Sequence, residues 1–153
     1  MRTLLLSLAA AGALGAIAAP GAGAQAPAAG CRIALRAEAE ASSFANAGRN
    51  ASAARAAQIA TQTGAAFAAA ASHLCAARVV TPANLRPFSK LLVRNAEGAS
   101  EPAVYDDAEG SPGALIFEYA FTDGGPPAQD AIENAIRCWR TPDREGCGED
   151  VSP

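Results

Sequence analysis

The stretch Gly113-Ala114-Leu115-Ile116-Phe117-Glu118-Tyr119-Ala120-Phe121 sets Leu115, Phe117, Tyr119 and Phe121 at every second position and holds three of the eight aromatic residues. A period of two with this aromatic and β-branched content reads as a strand. Its other face, Ala114, Ile116, Glu118 and Ala120, is smaller and partly polar. One side is therefore expected to be core and the other thinly covered or wet.

Working upstream, residues 88–95 alternate in the same way, with Leu91 and Val93 on one face and Phe88, Lys90, Leu92 and Arg94 on the other. Ala103-Val104-Tyr105-Asp106 is a short strand between loops at 95–101 and 107–113. Short glycine-containing connections favour hairpins over parallel crossovers. The three strands are therefore expected to form an antiparallel β-meander.

Downstream, Thr122-Asp123-Gly124-Gly125 turns the chain into a last helix. Pro126 and Pro127 suit its first turn, where the amides have no helical acceptor. Ala128, Ile132, Ala135, Ile136 and Trp139 form one apolar stripe. Glu133 is placed to pair with Arg137, while Arg137 and Arg140 sit at the negative end of the helix dipole. Thr141-Pro142 stops the run.

At the other end, residues 33–47 are rich in Ala and Glu and contain neither Pro nor Gly, which predicts a helix. The alternation Arg32-Ile33-Ala34-Leu35-Arg36 would also suit the start of a short strand. Gly48-Arg49-Asn50 breaks the run, and Asn50 or Ser52 can cap a second helix reaching about Arg78. Gly64 interrupts its otherwise small apolar face. The predicted fold class is α+β: an N-terminal helical hairpin, a three-stranded antiparallel meander and a C-terminal amphipathic helix, with helices on one sheet face.

Residues 1–24 have the layout of a secretory signal peptide: Arg2, an apolar run from Leu4 to Ala19, Pro20, and small residues ending in Ala22-x-Ala24. A single mature domain at 25–153 is expected, with 148–153 fraying. No later stretch is long and apolar enough to span a bilayer, because Arg55, Gln58, Gln62 and His73 interrupt the Ala-rich region.

The mature chain holds thirty-three Ala against six Leu, five Ile and five Val. Such a thin core benefits from cross-links. Cys31, Cys75, Cys138 and Cys147 form an even set in an exported chain and read as two disulfides. Of three connectivities, Cys31–Cys75 with Cys138–Cys147 keeps each pair within one half. Loop-closure entropy gives roughly 4 kcal/mol for the long bridge and roughly 2.7 for the short one. A competing reading makes Ala28-Ala29-Gly30-Cys31 a lipid-attachment site and the product an anchored lipoprotein.

Residues 25–100 carry eight basic and three acidic side chains, whereas 101–153 carry three and twelve, so the nets are +5 and −9. The asymmetry marks either partner surfaces or mutual attraction of the halves. A net-negative domain disfavours nucleic acid as a ligand.

Asp106, Asp107 and Glu109 are the densest carboxylate group, but they lack the spacing of a calcium loop. His73 is the only histidine, which excludes multi-histidine metal sites. There is no nucleophile elbow and no phosphate-binding or dinucleotide glycine pattern, and no cofactor is expected. Trp139 adjoins Cys138 and a loop bearing Arg140 and Arg144, a composition common in contact surfaces, although a Trp ending an amphipathic stripe also serves as core.

The sequence thus points to an exported, periplasmic, non-catalytic binding or accessory protein of the cell envelope. Its contact with a protein or envelope partner is expected at the open sheet face or the loop of Trp139, Arg140 and Arg144. The alternative is a small secreted hydrolase using Asp106, Asp107, Glu109 or His73.

Overall fold

The computed structural model describes residues 31–33, 35–121 and 124–147. The expected leader at 1–24 and the tail at 148–153 lie outside the described residues. The elements run β1 (Arg36–Ala39), α1 (Ala53–Ala76), α2 (Pro82–Leu85), β2 (Lys90–Asn95), β3 (Ala103–Asp106), β4 (Ala114–Tyr119) and α3 (Gln129–Arg140).

They form a four-stranded sheet in the order β1-β2-β4-β3. β1 and β2 are parallel, β2 and β4 are parallel, and only β3 runs antiparallel, against β4. The expected meander is thus corrected. Residues 96–113, including β3 itself, act as the long connection that a parallel β2–β4 pair requires. β4 therefore lies inside the sheet, and on the face expected to be thinly covered or wet Ala114 and Ile116 are buried while Glu118 is part-buried.

The N-terminal helical hairpin is also corrected, because its first helix is replaced by β1 and a series of turns. Arg36, Glu38 and Glu40 alternate with Ala37 and Ala39, and parallel pairing with β2 outweighs the helix preference of Ala and Glu. The small side chains face α1. At Gly64, a Cβ would fall 2.5 Å from that of Ala37. The glycine that weakened the helical pattern is what lets α1 lie close on β1.

α1 is continuous. Ser52 caps it, its hydroxyl accepting the Arg55 amide at 3.3 Å. At the other end Arg78 adopts φ 61°. Its amide donates to the Cys75 carbonyl at 3.0 Å and that of Val79 to the Leu74 carbonyl at 2.9 Å, the two bonds of a Schellman motif with Arg in the left-handed position. α3 starts at Gln129, with both prolines before it, and buries Ile132, Ala135 and Ile136.

α1 and α3 cover the sheet face carrying Leu91, Val93, Leu115 and Phe117. Phe67 meets Phe117 edge-on at 6.4 Å, and Phe44 stacks on Phe121 at 5.7 Å. Two buried asparagines hold the chain leaving β4. Asn95 Oδ1 accepts the Phe121 amide at 2.8 Å, and Asn50 Nδ2 donates to the Phe121 carbonyl.

The disulfides join Cys31 to Cys75 and Cys138 to Cys147. With the Cys31 sulfur bonded to Cys75, it has no free valence for the thioether of a lipid anchor, which removes the anchored-lipoprotein reading. No helix among the described residues is long and apolar enough to cross a membrane.

Candidate functional site

α3 ends where the Thr141 amide donates to the Arg137 carbonyl at 2.9 Å. Two further turns follow, from Arg144 N–H to the Thr141 carbonyl (3.1 Å) and from Cys147 N–H to the Arg144 carbonyl (3.0 Å). Gly146, at φ 85°, supplies the left-handed step that brings Cys147 back to Cys138, with Cα atoms 5.3 Å apart. A disulfide-closed loop thus overhangs β3.

Between this loop, α3 and β3 lies a groove of about 840 Å³, whose lining includes Glu101, Val104, Trp139, Asp143, Arg144 and Glu145. Trp139 is half-buried, packed against the main core and edge-on to Phe88 at 5.9 Å, and it also lines the groove. The Arg140 guanidinium lies 5.2 Å from the centre of its ring. Arg144 Nη1 reaches Asn134 Oδ1 at 3.5 Å. Trp139 and Arg144 thus both line the groove, whereas Arg140 lies against the Trp139 ring and is not part of that lining.

β3 is an edge strand. Every second residue of an antiparallel edge turns its N–H and C=O away from the sheet, and no backbone hydrogen bond among the described residues uses that side of Ala103–Asp106. Glu101, Asp143 and Glu145 have no ion-pair partner among the described residues. Sequence reasoning missed this edge and these acids. The acidic bias of residues 101–153 was the available signal.

The open sheet face carries a polar chain in place of an apolar docking patch. Glu40 accepts from Arg94 Nε and Nη2 at 2.7 and 3.0 Å, and Arg94 Nη1 donates to the Tyr105 hydroxyl at 2.8 Å. That hydroxyl donates to Glu118 at 2.7 Å. The tie to Glu40 raises the Arg94 pKa, opposed in part by burial. Tyr105 is pushed up to about 12, first by burial and then by the hydrogen bond to Glu118. Beneath these groups Leu92, Ala114 and Ile116 form a small second cluster with Tyr105.

The residues of the hydrolase reading are not brought together. Asp106 ends β3, Asp107 Oδ1 accepts the Gly110 amide at 2.7 Å in the following turn, and Glu109 is exposed. His73 is on α1, with Nδ1 2.8 Å from Glu133 on α3. Glu133 bonds to His73 and Gln129 in place of the expected partner Arg137. No hydrogen bond joins His73 to the three carboxylates. Other grooves of about 470 and 250 Å³ are likewise not lined by any of these four residues. Among the described residues no group of three or more His, Cys, Asp or Glu could hold a metal ion.

Among the described residues, contacts between the oppositely charged halves include the ion pair of Arg94 with Glu118 at 3.8 Å and the approach of His73 to Glu133. The acids of the groove are not neutralised in this way. No protein-family model matches the chain, and no match was found among curated proteins or solved structures.

Proposed function

We propose that the chain is an exported, non-catalytic accessory protein of the cell envelope that binds a protein partner in the groove between β3 and the Cys138–Cys147 loop. One observation carries this reading: a disulfide-fixed loop and the half-buried Trp139 stand beside an unpaired sheet edge. A wall fixed in advance loses little entropy on binding, and an aromatic with nearby Arg is the composition of an interface anchor. The two disulfides suit an oxidising compartment such as the periplasm.

The test is affinity capture of the oxidised full chain in its native envelope fraction, beside a Trp139→Ala variant shown by circular dichroism to keep the wild-type secondary structure. A partner recovered by wild type and lost from the variant supports the proposal. Equal recovery by both removes the groove from the account.

A further inference from the structure

We infer that the occupant of this groove is an extended peptide segment bearing lysine or arginine, which adds as a fifth strand to the free edge of β3. The inference rests on the binding reading above and adds the chemistry of what is bound.

Main-chain geometry supplies the first argument. Ala103–Asp106 offers outward N–H and C=O groups at alternate residues, and three consecutive residues of that strand, Ala103, Val104 and Tyr105, line the groove. An extended chain satisfies such groups by hydrogen bonding, the usual mode of strand addition. Pro102, which has no N–H, immediately precedes β3 and limits the new ladder to a short segment. Four residues of pairing are a small contact, so side-chain complementarity must supply the rest.

Charge supplies that complementarity. Glu101 lies two residues before β3 and Asp143 and Glu145 project from the facing loop, all three exposed, against Arg144 alone in the same lining. A basic segment laid between the two acidic margins gains on both sides. The same charges disfavour a second copy of this chain, because edge-to-edge pairing would set two acidic margins against one another.

Trp139 is the only tryptophan in the chain, so its emission reports occupancy directly. The probe is a decapeptide of alternating lysine and threonine, titrated into the oxidised full chain beside an alternating glutamate and threonine control. Two further lysine peptides carry N-methyl groups on one or the other set of alternate amides.

The expected result is saturable binding of the lysine peptide, about tenfold or more tighter than the glutamate one and weakened as salt rises from about 0.05 to 0.5 M. One methylated peptide should lose about tenfold or more in affinity while the other is tolerated, because only one edge of the added strand faces β3. The triple variant E101Q/D143N/E145Q, with an unchanged melting curve, should lose the preference for lysine.

Equal binding of the lysine and glutamate peptides, or indifference to both methylation patterns, overturns the inference. A concentration-dependent dimer in light scattering that the triple variant strengthens also overturns it, since the edge would then belong to a second copy. If no peptide binds but partner capture still depends on Trp139, the strand-addition inference fails and the binding proposal stands. If capture is independent of Trp139, both fail.

Discussion

Asn95 and Phe121 are joined by a buried hydrogen bond of 2.8 Å from the Phe121 amide to the Asn95 side-chain carbonyl, and Asn50 takes up the carbonyl of the same Phe121. The chain leaving β4 has no sheet partner at this point, so two side chains satisfy its polar atoms. Phe121 can then be fully buried and stack on Phe44. Asn95→Ala strands the Phe121 N–H and is expected to cost about 1–3 kcal/mol. Urea denaturation with both disulfides intact measures it, and a midpoint equal to wild type would show the bond to be dispensable.

Gly64 and Ala37 face each other where α1 packs on β1, with no room for a Cβ at residue 64. Gly64→Ala would raise helix propensity by about 1 kcal/mol but overpack the contact at a cost of about 1–3 kcal/mol. A net loss of stability is expected, with recovery in the double variant Gly64→Ala/Ala37→Gly. Stabilisation by the single substitution would mean that α1 does not lie as close to β1 as described.

Arg78 holds a left-handed conformation that costs a non-glycine residue about 1–2 kcal/mol. Arg78→Gly relieves this but gains freedom in the unfolded chain, so a net stabilisation of about 0.5–1 kcal/mol is expected. Thermal unfolding compared with Arg78→Ala, which keeps the strain, isolates the backbone effect. A glycine variant no more stable than the alanine one would contradict it.

Tyr105 has a pKa pushed up to about 12, against an ordinary value near 10. Because the folded value is the higher one, the stabilisation is complete below about pH 10 and is lost as pH rises toward 12. The tyrosinate absorbance of wild type minus that of Tyr105→Phe should show a step near 12, and the variant's stability should fall less between about pH 10 and 12. A difference step at 10 would place the Tyr105 hydroxyl in open solvent.

Legibility of the fold depended on side-chain size. β2, β4 and α3 were readable because Leu91, Val93, Leu115, Phe117, Ile132 and Ile136 mark their faces with large apolar groups. β1 was not, since Ala37 and Ala39 bury little and a period of two written in Ala and Glu resembles a helix in composition. The parallel pairing of β2 with β4 was hidden because the strand between them in sequence, β3, joins the same sheet. At the candidate site, Trp139, Arg140, Arg144 and the Cys138–Cys147 spacing were visible locally. Glu101 and the edge of β3 meet that loop only through the sheet order, which no local pattern specifies. The chain of Glu40, Arg94, Tyr105 and Glu118 is similarly a product of register.

Amide hydrogen exchange of the oxidised full chain, with and without the alternating lysine and threonine peptide, tests most directly whether the groove beside β3 is where this protein binds. Slower exchange within Ala103–Asp106 and around Trp139 on saturation is the expected result. Unchanged exchange there, with protection appearing on another surface, would contradict it.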